Sequence, residues 1–170
     1  FSENEFQIGS KEFLKLLNKC KFSVSNDETR HYLSGIYLHQ TEFEEKNYLT
    51  AVATDSHRMS ISKIRLNDKI NFEPIILPKK TIFQLCSLLD NYDGDVKISN
   101  AKSKIKFELK NSILISKLID GKFPNYIQVI PKNNKKKLEV DLKLFLDSVD
   151  RVASVSLDKK DGVKFNLTKD

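Results

Sequence analysis

Long apolar runs are missing from these 170 residues. None approaches the roughly 18 to 20 residues of a membrane-spanning helix, and the first ten residues lack the basic-then-apolar order of a signal peptide. The expectation is a cytoplasmic protein with no membrane partner. Cysteine is scarce: Cys20 and Cys86 lie far apart in helical apolar patterns with no metal-type spacing, which favours buried free thiols over a disulfide or a zinc site. Only three histidines occur, His31, His39 and His57, so the means for general-base or metal chemistry are thin. There is no Walker-type Gly-rich loop, dinucleotide fingerprint, His-Glu-x-x-His helix or Gly-x-Ser-x-Gly elbow. Carboxylate pairs such as Glu44 with Glu45 and Asp93 with Asp95 fall at apparent loop tips, where turn formation accounts for them. Nothing asks for an enzyme, a metal or a cofactor.

What is abundant is positive charge. The 29 Lys and Arg against 23 Asp and Glu leave +6, with a pI of about 9.2, so a polyanionic partner is compatible with the composition without being required by it. The length suits one domain and part of another. The first residue is Phe1 rather than Met, which sets the expectation of a fragment.

Along the chain, Glu5 to Ile8 alternates as a short strand, and Gly9-Ser10 offers a turn and a helix cap before an amphipathic helix over Lys11–Lys21. Phe13, Leu14, Leu16, Leu17 and Cys20 form its apolar side. Lys11, Lys15 and Lys19 make one stripe on the other, either a solvated face or a face toward phosphates. A polar turn at 26–29 precedes a strand from Leu33, an acidic loop around Glu42, Glu44 and Glu45, and a meander that continues to about Phe72. A second short strand, Glu73 to Pro78, leads into a helix over Lys79–Leu89 with Ile82, Phe83, Leu85, Cys86, Leu88 and Leu89 inward. Lys79 and Lys80 oppose the helix dipole in its first turn, a cost of a few tenths of a kcal/mol that a nearby anion would offset. Strands follow at 96–98, 105–109 and 113–118, then Gly121 and Pro124 break the pattern, and 131–137 reads as a charged linker. Leu138 to Asp141, a helix to about Val155 and a strand over 161–167 begin the same plan again. One unit therefore recurs from near Phe6, Ile75 and Leu138: short strand, capped helix, then strands. Repetition on this scale points to an α+β architecture with helices on one side and antiparallel sheets on the other.

The sheet pattern breaks most sharply at Thr54-Asp55-Ser56-His57-Arg58-Met59. Leu49 to Thr54 is an uncharged, β-branched run, Asp55-Ser56 supplies turn chemistry, and Met59 resumes a period of two. Asp, Ser and His side by side do not make a hydrolase triad, because neighbours on an extended chain point to opposite faces. The corner is either a satisfied turn or a rim that recognises a partner.

Val52 to Met59 resembles the Val-Ala-Thr-Asp-Gly-His-Arg-Leu signature of the bacterial sliding clamp family, the beta subunit of DNA polymerase III. Ser116 to Tyr126, followed by Val129-Ile130-Pro131, is similar to that family's second long signature, and Arg30-His31-Tyr32-Leu33-Ser34-Gly35 to a third, which usually has two tyrosines. The resemblance spans essentially the whole chain. It implies a DNA-clamp fold with 1–125 as the middle domain, 126–137 as an interdomain linker and 138–170 as the start of an incomplete third domain. It implies a non-catalytic processivity factor for DNA replication, a homodimer ring when complete, that encircles duplex DNA without sequence preference. Replicative and repair polymerases and the clamp loader would be tethered through short peptide motifs. The peptide pocket would use Leu33, Thr54, Ser56, His57, Arg58, Met59, Pro124, Gln128 and Val129; the DNA-facing set would be Lys11, Lys15, Lys19, Arg30, His31, Tyr32, Lys79 and Lys80. Ser56 stands where the family usually has Gly, which matters for any turn that needs a positive φ. Gln128 stands where Arg is frequent, removing one charged interaction. His31 for Tyr weakens stacking. The alternatives are a stand-alone basic nucleic-acid-binding module and, as a lesser one, a nucleic-acid-modifying enzyme.

Overall fold

The computed structural model describes residues 5–155 and 162–167. The chain divides into two compact units, Phe1–Pro124 and Asn125–Asp170.

The first unit executes one plan twice. Strand β1 (Glu5–Gly9) and helix α1 (Ser10–Asn18) precede β2 (Gly35–Phe43), β3 (Lys46–Thr54) and β4 (Met59–Arg65). Strand β5 (Ile75–Pro78) and helix α2 (Lys79–Asp90) precede β6 (Asp95–Ala101), β7 (Lys104–Leu109) and β8 (Ser112–Lys117). The leading strand of each half then crosses to the other half's sheet. The two antiparallel sheets run β1-β6-β7-β8 and β4-β3-β2-β5, with Phe6 opposite Ile98 and Tyr37 opposite Ile76. The repeats expected at Phe6 and Ile75 are both present, and they are interlocked.

Burial explains the elements. Phe13, Leu16 and Leu17 of α1 and Ile82, Leu85 and Leu89 of α2 occupy one helix face each and are buried with Ile36, Leu38, Leu49, Ala51 and Leu77 of one sheet and Val96, Ile98, Ile105 and Phe107 of the other. Each of these side chains but that of Ala51 contributes about 1.5–3 kcal/mol relative to exposure. The rings of Phe13 and Phe107 lie 5.9 Å apart at the centre. Cys20 and Cys86 are buried free thiols, and burial pushes the Cys20 thiol up to about 11. At Gly35 the exchanged strand comes close enough that a Cβ there would lie 2.3 Å from the Leu77 carbonyl oxygen. The β2–β3 hairpin turns through Glu44 (φ 49) and Glu45 (φ 58), the two successive positive values of a type I′ turn.

Several local expectations are corrected. Helix α1 stops at Asn18, and Lys21–Ser23 forms a separate 3-10 turn. Ser10 is not its cap. Gly9 is, with no side-chain cap bond, while the Ser10 hydroxyl donates to the Tyr92 carbonyl at 2.7 Å and its N–H to the Gly94 carbonyl at 2.9 Å. The other half uses the matching backbone bond, Lys79 N–H to the Ser34 carbonyl at 3.1 Å. Pro78 ends β5 in an extended conformation as the N-cap of α2. Phe83 and Leu88 face outward, 48% and 38% exposed, because the buried stripe of α2 is already filled by Ile82, Leu85, Cys86 and Leu89. Strand β4 ends at Arg65, short of the meander expected to Phe72.

In the second unit, Tyr126–Val129 is a 3-10 helix and α3 spans Leu142–Ala153. The Asp141 cap is as expected, its carboxylate accepting the Leu144 N–H at 2.9 Å. The strands expected at 138–141 and over 162–167 do not form; Asp161 lies outside the described residues. A strand exists only as part of a ladder, and no described segment of this unit pairs with either. The Phe145 and Phe165 rings stack at 5.3 Å.

Candidate functional site

The corner between β3 and β4 is a four-residue turn, with Thr54 paired to Met59 at its base. Short polar side chains close it onto its own backbone. Asp55 Oδ1 accepts the N–H groups of His57 and Arg58, both at 3.0 Å, and Thr54 Oγ1 accepts the Ser56 N–H at 3.1 Å while donating to the Arg58 carbonyl at 2.8 Å. Arg58 folds back over the domain: its Nε donates to Asp55 Oδ2 at 3.1 Å, its Nη2 to the Phe22 carbonyl at 2.7 Å, and its guanidinium sits 5.6 Å from the Phe22 ring centre. Partial burial works against the charge on Asp55, but the two backbone donors and Arg58 outweigh it and hold the carboxyl below its ordinary range.

Ser56 has φ 78, so the positive φ that the family's usual Gly would adopt freely is adopted here by a residue with a Cβ. A second chain of contacts supports it. Arg30 Nη1 donates to Ser56 Oγ at 2.6 Å and Arg30 Nε to Asp27 Oδ2 at 2.8 Å. Asp27 also accepts the Thr29 N–H at 2.9 Å and hydroxyl at 2.6 Å. The Thr29 hydroxyl first, then Arg30 and the Thr29 N–H, hold the Asp27 carboxyl down at about 2.

Of the other residues expected at the peptide pocket, Thr54 and Met59 are half-buried, His57 and Pro124 are exposed, and Leu33 is buried at the end of the 3-10 helix Glu28–Leu33, its carbonyl accepting the Ser25 N–H at 3.1 Å. Gln128 and Val129 belong to the second unit and are exposed. Sequence reading missed Phe22 as the shelf for Arg58 and the Asp27–Arg30–Ser56 chain. Neither leaves a periodic signal, since each joins residues from separate loops.

The DNA-facing set divides in two. Lys11 and Lys15 are exposed on the outer face of α1 and Lys19 at its C-cap, with Lys11 reaching Asp93 at 2.8 Å, and Lys80 is exposed on α2. Arg30 is held by Asp27 and Ser56, the Lys79 ammonium donates to Asn26 Oδ1, and exposed His31 meets the Asp120 carbonyl at 3.1 Å through Nε2, its ring 5.8 Å edge-on from that of Tyr32. Gly121 (φ 148) leaves room for this packing, since a Cβ there would lie 3.2 Å from Tyr32 Cβ.

No triad is assembled. The Asp55 carboxylate serves the turn backbone and Arg58, and the Ser56 hydroxyl accepts from Arg30. Among the described residues no group of three or more His, Cys, Asp or Glu is placed to hold a metal ion, and no helix is long and apolar enough to cross a membrane. A cavity of about 630 Å³ opens between β5, the β6–β7 turn and residues 118–123; none of the expected site residues lines it.

A family profile described as DNA polymerase III beta subunit, central domain, matches residues 7–125. The chain belongs to this family. Among curated beta sliding clamps it is 40% identical over 170 residues to that of Rickettsia bellii, covering 98% of this chain and 44% of the relative. It is 32% identical over 167 residues to that of Escherichia coli K12, covering 98% and 44%. Among solved structures, the Caulobacter crescentus beta sliding clamp with polyethylene glycol at its putative beta-motif tethering region aligns with TM-score 0.87 at 35% identity, over 94% of this chain and 43% of that one. The Bartonella birtlesii sliding clamp bound to griselimycin aligns with TM-score 0.85 at 37% identity, over 92% and 42%. The chain thus spans less than half the length of the sliding clamps it matches, and the expected α+β clamp fold is the one found.

Proposed function

We propose that this chain is the middle domain, 1–125, the linker, 126–137, and the opening of the third domain, 138–170, of a cytoplasmic, non-catalytic replication processivity factor. In the complete protein two copies close into a ring around duplex DNA. The lysine face of α1 meets phosphates, and the β3–β4 corner with Pro124 receives short peptide motifs from polymerases, repair proteins and the clamp loader. The carrying observation is that a match to the beta-subunit central domain over 7–125 coincides with an exposed cationic face along α1 and its C-terminal end, Lys11, Lys15 and Lys19, with Glu12 beside them and Asp93 2.8 Å from Lys11. Such a face suits phosphate contacts that do not read sequence, as sliding requires.

The test is the salt dependence of duplex binding. Replacing Lys15 and Lys19 by Gln should flatten the slope of log affinity against log salt by roughly 2, one for each phosphate no longer neutralised, equally for any duplex sequence. An unchanged slope would rule out a DNA role for the α1 face. Tight, salt-sensitive binding by the 170-residue chain alone would favour the stand-alone binding module instead.

A further inference from the structure

Arg30 and Ser56 belong to different proposed surfaces, one toward DNA and one in the peptide corner, yet their side chains are bonded at 2.6 Å. Ser56 holds a left-handed conformation, φ 78, that a residue with a Cβ keeps only where its surroundings fix it. Two bonds do so: the Thr54 hydroxyl takes its N–H, and Arg30 clamps its Oγ. A glycine there would need neither and would offer Arg30 no oxygen. The Ser therefore creates a link that the family's usual residue cannot make.

The other end of the link is built to pivot. Arg30 is also the residue at which the 3-10 helix Glu28–Leu33 kinks (φ −110, ψ 58), between Asp27, bonded to Thr29, and Leu33, pinned through its carbonyl by Ser25. Its guanidinium is a fork: Nε rests on the Asp27 carboxylate and Nη1 on a neutral hydroxyl. Phosphate is a stronger partner for a guanidinium than a hydroxyl is, because it carries opposite charge and can accept from two N–H groups at once. A phosphate reaching this loop would take Nη1 from Ser56 and leave the Asp27 contact in place.

We propose that Arg30 is a positioning residue for the β3–β4 corner, and that nucleic-acid phosphate and corner order compete for it. This rests on the DNA and peptide roles proposed above. Binding free energies are reciprocal, so duplex bound at Arg30 weakens a peptide at the corner and the peptide weakens the duplex by the same factor, about fivefold at the low end of such couplings.

The experiment is a double-mutant cycle on the 15N-labelled chain, read at the backbone amides of Ser56, His57 and Arg58, whose spectra also report folding. Without DNA, Arg30→Gln should shift these amides in the wild type and leave them unmoved in the Ser56→Gly background. Arg30→Lys, which keeps the charge but not the fork, should restore only part of the wild-type positions. Corner shifts of equal size in both backgrounds, or none in either, would overturn the positioning role. Adding a short duplex should move the α1 lysine amides in every variant and the corner amides only where both Arg30 and Ser56 are present. Duplex shifts on α1 with a silent corner in the wild type would overturn the competition while sparing the proposed function. No duplex shifts anywhere would overturn the phosphate role of the α1 face and the competition together, the positioning role then standing or falling on the DNA-free spectra.

Discussion

The hairpin from β7 to β8 turns in two residues, Lys110-Asn111, with Leu109 paired to Ser112; the one from β3 to β4 takes four, Asp55 to Arg58, with Thr54 paired to Met59. The two occupy equivalent places in the two halves. The helices differ in the same direction. Taking Gly9 and Pro78 as corresponding caps, Lys15 and Lys19 of the first half stand where the second has Gln84 and Leu88. What the halves share is what the core needs: the buried helix positions, the crossing of the leading strand and the backbone bond at each helix start. Apart from exposed Lys11 and Lys80, which correspond, what they do not share is the polar chemistry. Function in this domain is read most directly from where the repeat is broken.

The comparison can be broken at its shared part. Gly35→Ala should destabilise the domain by about 2–4 kcal/mol in urea unfolding, because the new Cβ meets the Leu77 carbonyl at 2.3 Å, a backbone atom that moves only with the strand. Gly9→Ala, at the other crossing, should cost under about 1 kcal/mol, since its Cβ would find only Glu12 Oε2 at 3.8 Å.

The comparison is sharpened at the hairpins. Asp55→Ala strips two backbone N–H groups and Arg58 of their acceptor and should cost about 1 kcal/mol, with faster amide exchange at His57 and Arg58. Asn111→Ala in the shorter hairpin should stay within about 0.5 kcal/mol.

The smallest effect is a pH dependence. The Asp27 carboxyl is held at about 2 against an ordinary 3.8. A depressed folded-state value means that its stabilising contribution is full above about pH 4 and is lost as pH falls through about 2. Asp27→Asn should therefore lower the thermal midpoint slightly at about pH 5, and the gap from wild type should close as acid is added. A constant gap would separate Asp27's role from its charge.

Much of this was legible in the sequence, and the misses are physical. The period of two and the period of 3.6 locate every strand and α-helix of the first unit, but not the 3-10 helices Lys21–Ser23 and Glu28–Leu33, the second of which holds Leu33, where a strand was expected to begin. The buried stripe of α1 is as expected, whereas Phe83 and Leu88 of α2 are apolar yet exposed, because residue type alone does not say which side of a helix meets the sheets. Crossing of β1 and β5 leaves no local mark, since it is decided by long-range pairing. The strands expected after Val129 fail for a related reason: alternation makes a segment fit to be a strand, and only a partner makes it one. The exposed basic residues expected to face DNA are partly withdrawn, as Arg30 and Lys79 find acceptors in neighbouring loops that spacing along the chain does not reveal.

The crossing of the leading strands also sets a timetable for synthesis. Phe6 pairs with Ile98, so β1 is made early and its partner about ninety residues later. Until Ile75 to Pro78 are made, the first half holds a helix and the three strands β2, β3 and β4, but neither its own leading strand nor the one it will receive can be paired. The free edge of β2 waits for Ile75 to Pro78, and β1 waits longer still. Loops of this span close slowly compared with hairpins, and an unpaired edge is where a nascent chain is most open to the wrong neighbour. The first half therefore cannot finish before the second has begun; the sheet that receives β5 has all its strands at Pro78, and the sheet that takes β1 has them only at Lys117.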